Sequence, residues 1–180
     1  TARILKTGGA LVCFCRWDVQ EAFRLAIEWA GLNVICQLVW DRQIHGMADP
    51  SSCPGPQHDV MWLASKGKFK LPGKRPTTVY PYRRVAGPKM VHPTEKPVSL
   101  MRALVRDYSE HGDLLFEPFG GSGATAIAAM HEGRRCLSVE LDEKFVAVQK
   151  KRLEDFRSEN NLVPGKLPSR RDPKNEEPLV

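Results

Sequence analysis

The stretch from Asp113 to Asp142, DLLFEPFGGSGATAIAAMHEGRRCLSVELD, constrains what this chain can fold into more than any other part of it. An apolar run, Leu114–Phe116, stops at an acid, Glu117. The turn Pro118-Phe119-Gly120-Gly121-Ser122-Gly123 follows, and then a small-residue helical segment, Ala124–Met130. A second apolar run, Cys136–Val139, ends in another acid, Glu140. Strand, glycine turn, helix, strand, acid is the layout of a nucleotide-type site at the edge of a parallel sheet, which predicts an α/β fold. Glycine lets backbone approach a ligand where a Cβ would clash. The helix N-terminus offers unpaired N–H groups, and a carboxylate after the second strand can accept from two ribose hydroxyls.

The rest of the chain supplies elements to place around that unit. Thr1–Lys6 reads as the end of a helix closed by Gly8-Gly9. Strands are predicted at Ala10–Cys15, Asn33–Trp40 and His58–Ala64 from their apolar, β-prone runs. Val19–Ala30 carries Phe23, Ala26, Ile27 and Ala30 at helical spacing before Gly31. Pro97–Tyr108 is an amphipathic helix with Leu100, Met101, Leu104 and Val105 on its apolar side. Asp142–Phe156 is a last helix, with Phe145, Val148, Leu153 and Phe156 inward. Asp41–Gln57, rich in Gly, Pro, Ser and His, is long for a plain connection and is a candidate functional loop. Arg157–Val180 has little to bury and reads as a mobile tail. The chain starts at Thr1 rather than Met, inside what reads as an element, and is expected to be a fragment.

Charge narrows the class of partner. The formal net charge of +6 leans towards an anionic partner, nucleic acid first and a membrane surface second. Much of it lies in Ser65–Met90, where Lys66, Lys68, Lys70, Lys74, Arg75, Arg83, Arg84 and Lys89 interleave with Phe69, Tyr80 and Tyr82. Cations with stacking aromatics suit a nucleic-acid backbone; the plainer alternative is a solvated loop. Five cysteines, Cys13, Cys15, Cys36, Cys53 and Cys136, form no Cys-x-x-Cys pair and no zinc spacing, so reduced thiols in a cytoplasmic protein are expected, with no metal. No run is long enough to span a membrane.

The glycine turn is neither the G-x-G-x-x-G dinucleotide pattern nor a triphosphate loop. A carboxylate beside it, Glu117, repels phosphate but suits a cationic or zwitterionic ligand such as S-adenosylmethionine, with its sulfonium, ammonium and ribose. At these residues the chain resembles a family. Phe116–Gly123 is similar to the cofactor motif of the amino-group DNA methyltransferases, which modify adenine N6 or cytosine N4; the usual acid is Asp, and here it is Glu117. His92-Pro93-Thr94-Glu95-Lys96-Pro97 resembles the family's His-Pro-Thr-x-Lys-Pro segment, and Leu5–Cys15 its Leu-Lys-Pro-Gly-Gly segment with the strand after it.

The resemblance implies a Rossmann-like S-adenosylmethionine-dependent methyltransferase sheet in circularly permuted order. It implies a methyltransferase domain over residues 1–156, residues 65–91 as a short target-recognition segment, and residues 157–180 as a tail. Carried over to this chain, the cofactor residues are Thr94 and Lys96 at the methionine end, Glu117, Phe119, Gly120, Gly121, Ser122 and Gly123 around the sulfonium and amino group, and Glu140 at the ribose. Leu141 and Asp142 border the adenine. Lys68, Lys70, Lys74, Arg75, Arg83 and Arg84 are the DNA candidates, with double-stranded DNA as partner in a prokaryotic or phage setting such as restriction–modification. Arg16, Trp17 and Asp18 are weaker candidates for the base pocket.

One part of the family pattern is missing. The catalytic Asp/Asn/Ser-Pro-Pro-aromatic tetrapeptide, whose acceptors hold the target amino group, does not occur; Ala48-Asp49-Pro50-Ser51 has only its first two residues in place. The expectation is therefore a preceding segment, or a second chain, that supplies the tetrapeptide and a strand. The competing expectation is a non-catalytic DNA-binding partner that keeps the fold.

Overall fold

The computed structural model describes residues 1–162 except Met47, Ala48, Pro50, Ala86, Pro88, Lys89 and Pro93. The predicted tail beyond residue 162, and Ala48 and Pro50 of the near-match tetrapeptide, lie outside the described residues. The chain divides into two compact units, Thr1–Arg84 and Val85–Val180.

The first unit holds β1 (Ala10–Cys15), α1 (Gln20–Trp29), β2 (Asn33–Asp41), β3 (His58–Ser65) and β4 (Val79–Pro81). Its sheet has the order β1-β3-β2-β4. β3 is central and runs antiparallel to both neighbours, from Ala10↔Ser65 to Cys15↔Val60 on one side and from Asn33↔Ser65 to Asp41↔His58 on the other. A bulge between Val34 and Cys36 shifts the second register. The short strand β4, which the sequence pattern did not predict, pairs in parallel with the end of β2. Ile27, Leu32 and Ala64 form a buried cluster with Leu11, Cys13, Val34 and Trp62 packed against it, which seats α1 on the sheet.

Two expectations for this unit are corrected. Thr1–Lys6 makes a single turn and no helix, with the N–H groups of Ile4 and Leu5 both donating to the Thr1 carbonyl. In α1 only Ile27 is buried, while Phe23, Ala26 and Ala30 stay exposed. The physical reason is that Gln20 is anchored inward, its carbonyl accepting from Trp62 Nε1 at 2.9 Å and its side chain from Gln37. That anchor turns the face carrying residues 20, 24 and 27 to the sheet.

The second unit holds α2 (Val98–Tyr108), β5 (Leu114–Glu117), α3 (Ala124–His131), β6 (Arg135–Ser138) and α4 (Glu143–Glu159). β5 and β6 pair in parallel, Leu114↔Arg135 through Glu117↔Ser138, as the strand–turn–helix–strand pattern requires. α2 starts after Pro97 in extended conformation and buries Leu100, Met101, Ala103, Leu104 and Val105, the face its spacing predicts. It packs on α3, whose Ala-rich surface permits close approach of helix, strand and helix. α4 is capped by Asp142, whose side chain accepts from the Lys144 N–H at 2.9 Å. Phe145, Val148, Leu153 and Phe156 of the expected inward face are half-buried, Phe145 against His92 and Phe156 against His131, and the buried residue of the helix is Gln149.

Candidate functional site

Where β5 ends, the chain turns through Pro118–Gly123 into α3, and where β6 ends it reaches Glu140 beside that turn. The two carboxylates anticipated at the strand ends are thus brought to one turn, each with a defined role. Glu117 accepts from the Phe119 N–H at 3.1 Å and from Thr125 Oγ1, in the first turn of α3, at 2.9 Å. Glu140 accepts from three backbone N–H groups: Gly121 at 2.8 Å, Leu141 at 2.8 Å and Asp142 at 3.0 Å. These donors, led by Asp142 and then Gly121, hold the Glu140 carboxyl below the ordinary carboxylate range. A carboxylate offers roughly four acceptor positions, so about one remains on Glu140 for a ligand hydroxyl.

The glycines are required for two different reasons. Gly121 and Gly123 have φ of +49° and +82°, the left-handed region that side chains with a Cβ rarely adopt. Gly120 is held by packing instead: a Cβ there would lie 2.2 Å from Ser138 Oγ and 2.6 Å from Gln149 Nε2. At Gly120 the missing side chain therefore makes room for α4.

On the outer side of the turn, Phe119 is 86% exposed and Leu141 is 96% exposed. Two nearly uncovered apolar side chains next to a polar turn form an open lining that an aromatic ring system can cover. Below the turn lies Cys136, whose thiol is pushed up to about 12 by burial and then by the Glu117 charge, so it stays a neutral thiol.

The His92–Pro97 segment sits against the same turn. The His92 ring lies 3.5 Å from where a Cβ on Gly121 would be, and packs on Phe145 with ring centroids 4.2 Å apart. Thr94 is exposed, and its N–H and hydroxyl each lie 3.2 Å from His92 Nδ1. Lys96 Nζ donates to the Thr94 carbonyl at 3.2 Å. Pro93 is outside the described residues.

Two site-forming residues were not identified from the sequence. Gln149 donates to the Gly121 carbonyl at 3.1 Å and accepts from Ser138 Oγ at 2.9 Å. Arg152 donates to the Ser122 carbonyl at 2.9 Å and to Glu95 at 2.8 Å. Gln149 and Arg152, three apart on α4, interrupt an otherwise apolar inward face, and that interruption was the available signal.

The DNA candidates lie in the first unit. Lys68, Lys70, Lys74, Arg75, Arg83 and Arg84 are all exposed, on the loops before and after β4. The interleaved aromatics are less available: Tyr80 is 4% exposed in the sheet, and Phe69 and Tyr82 are half-buried. The stretch is thus a cationic surface over packed aromatics. Arg16 and Asp18, after β1, chelate one another at 3.0 and 2.6 Å, with Trp17 exposed between them. Asp49 caps its own turn, accepting from Ser51 and Ser52. Among the described residues no cluster of His, Cys, Asp and Glu is arranged to hold a metal ion.

Comparison with known proteins places this geometry. The model of a DNA methylase family, the N6/N4 methylases, matches residues 1–151. The putative methylase YubD of Escherichia coli K12 is 31% identical over 151 residues, which are 84% of this chain and 64% of that protein. The chain therefore spans just under two thirds of the length of this relative. Among solved structures, the M1.HpyAVI–SAM complex superposes with a TM-score of 0.76 at 22% identity, over 84% of this chain and 78% of that one. The PvuII DNA methyltransferase, cytosine-N4-specific, superposes with a TM-score of 0.66 at 18% identity, over 86% and 70%. These likenesses establish the methyltransferase-type α/β fold.

Proposed function

The chain belongs to the N6/N4 DNA methylase family, and from that premise we propose that its second unit binds S-adenosylmethionine for transfer of a methyl group to an exocyclic amino group of a DNA base. The observation that carries this reading is the pairing of the left-handed glycine turn, Gly121–Gly123, with Glu140 clipped to it by the Gly121 N–H at 2.8 Å. The residues present suit that ligand. Glu117 and Glu140 supply negative charge beside the turn, where a sulfonium and an ammonium are attracted and a phosphate is repelled. Phe119 and Leu141 offer the uncovered apolar surface that an adenine needs. Asp142, occupied as the α4 cap, borders the same surface.

S-adenosylmethionine, when bound, would supply an electrophilic methyl group whose S–CH3 bond breaks as the target nitrogen takes the carbon, leaving S-adenosylhomocysteine as a neutral thioether. The part of this chain is to bind and orient. The remaining acceptor position on Glu140 would take one ribose hydroxyl, and Thr94 and Lys96 would hold the methionine carboxylate. The exposed cations Lys68, Lys70, Lys74, Arg75, Arg83 and Arg84 contact the DNA backbone within a target-recognition segment spanning residues 65–91. We place residues 1–156 in one permuted methyltransferase domain of a cytoplasmic protein. The target is adenine N6 ahead of cytosine N4. The acceptors that hold the target amino group are supplied from outside residues 1–180, because no Asp/Asn/Ser-Pro-Pro-aromatic tetrapeptide occurs in the sequence.

Calorimetry with S-adenosylmethionine on wild type and Glu140→Ala tests the cofactor reading. The variant is expected to bind about ten-fold more weakly or worse, since it loses a ligand acceptor and the tie from the Gly121 N–H that clips Glu140 to the turn. Unchanged affinity overturns the ribose assignment.

A further inference from the structure

We propose that Arg152 of α4 is a positioning residue that locks the His92–Lys96 segment to the glycine turn, so that the methionine end of the pocket forms as one piece; this rests on the cofactor reading above. One guanidinium nitrogen, Nη1, donates both to Glu95 Oε1 at 2.8 Å and to the Ser122 carbonyl at 2.9 Å. Its two hydrogens thereby set the spacing between two segments that local structure does not connect.

Each end of this bridge lies next to residues assigned to the ligand. Glu95 sits between Thr94 and Lys96, and its side chain is 4% exposed. Its other oxygen accepts from the Val91 N–H at 2.9 Å, and its own N–H donates to the His92 carbonyl at 3.1 Å. A carboxylate so far from water is tolerated only with a charged partner, and Arg152 is that partner. Without it Glu95 is driven to turn outward, and the backbone of Thr94–Lys96 moves with it.

At the other end, Ser122 lies in the turn itself. Gln149, one helical turn before Arg152, holds the adjacent carbonyl, that of Gly121. With both carbonyls drawn towards α4, the peptide planes of the turn are fixed. Phe145, Gln149 and Arg152 recur at i, i+4 and i+7, and so act from one face of α4 on His92, Gly121 and Ser122 in order. A residue serving stability alone needs only the Glu95 contact. The contact to Ser122 is what ties Arg152 to the ligand.

The test compares two ligands on the full-length protein. S-adenosylhomocysteine carries the amino-acid end; 5′-methylthioadenosine lacks it. Arg152→Met is expected to weaken S-adenosylhomocysteine about ten-fold or more and methylthioadenosine less than about three-fold, as loss of charged hydrogen bonds at one end of a site requires. Arg152→Lys, which keeps the charge and several donors on one nitrogen, is expected to recover most of the wild-type ratio. Should Arg152→Met fail to fold, Glu95→Gln reads the same ratio, with a loss in the same direction. Titrations are run well below each variant's Tm. Variants that bind both ligands with the wild-type ratio overturn the proposal, whether their affinities fall together or not at all. A wild type that binds neither ligand overturns the cofactor reading, a separate outcome.

Discussion

Gly120 shows how much a single position can hide. In sequence it belongs to a glycine turn suited to close approach of a ligand, yet the space beside its Cα is filled by Ser138 and Gln149. Gly120→Ala is expected to destabilise the fold by about 1–3 kcal/mol, because the Cβ forces apart a hydrogen-bonded pair in a closed interior. Gly73→Ala is the control: nothing lies within 4 Å of that Cβ and its φ is not positive, so a change within about 0.5 kcal/mol is expected. Thermal and denaturant unfolding of the two variants checks this. Equal effects would show that α4 does not pack on the turn as described. Glu140 carries the same lesson for charge. It was legible as an acid after a strand, but three backbone donors already claim most of its acceptor capacity.

Among the elements, the helices divide by how their inward faces are made. α2 turns inward the residues its apolar spacing names, and Leu100 is fully buried there. Leu100→Ala is expected to cost about 2–5 kcal/mol, from lost transfer free energy and the cavity left behind. Leu25→Ala, on an exposed part of α1, is expected to change stability by no more than about 0.5 kcal/mol; chemical denaturation of both variants measures the contrast. α1 and α4 follow another rule. In α1 the Gln20 anchor sets the rotation, and in α4 polar side chains at positions 149 and 152 do. Apolar periodicity locates such helices but does not say which polar residue is buried with the apolar ones, because a satisfied polar group can outweigh a half-buried aromatic.

At the scale of the whole molecule the described strands form a four-stranded and a two-stranded sheet. In the smaller sheet Leu114, Phe116 and Leu137 are exposed, and paired parallel strands put all three on one face. Two short strands with an open apolar face are marginal without further cover. Residues 1–180 expressed alone are therefore expected not to give one cooperative, monomeric thermal transition. Scanning calorimetry with sedimentation checks this, and a single monomeric transition contradicts it. The sequence by itself determined the longer elements of both units, though neither the short strand β4 nor the turn at Thr1–Lys6, and the glycine turn between two acids. Those features are local: apolar period, a cap at Asp142, and backbone conformations that only glycine adopts readily. Only the tertiary structure decided what holds the turn in place. Gln149 and Arg152 reach acceptors 28 to 57 residues away, and a hydrogen bond across that distance depends on how helix and turn are packed, which no local pattern records.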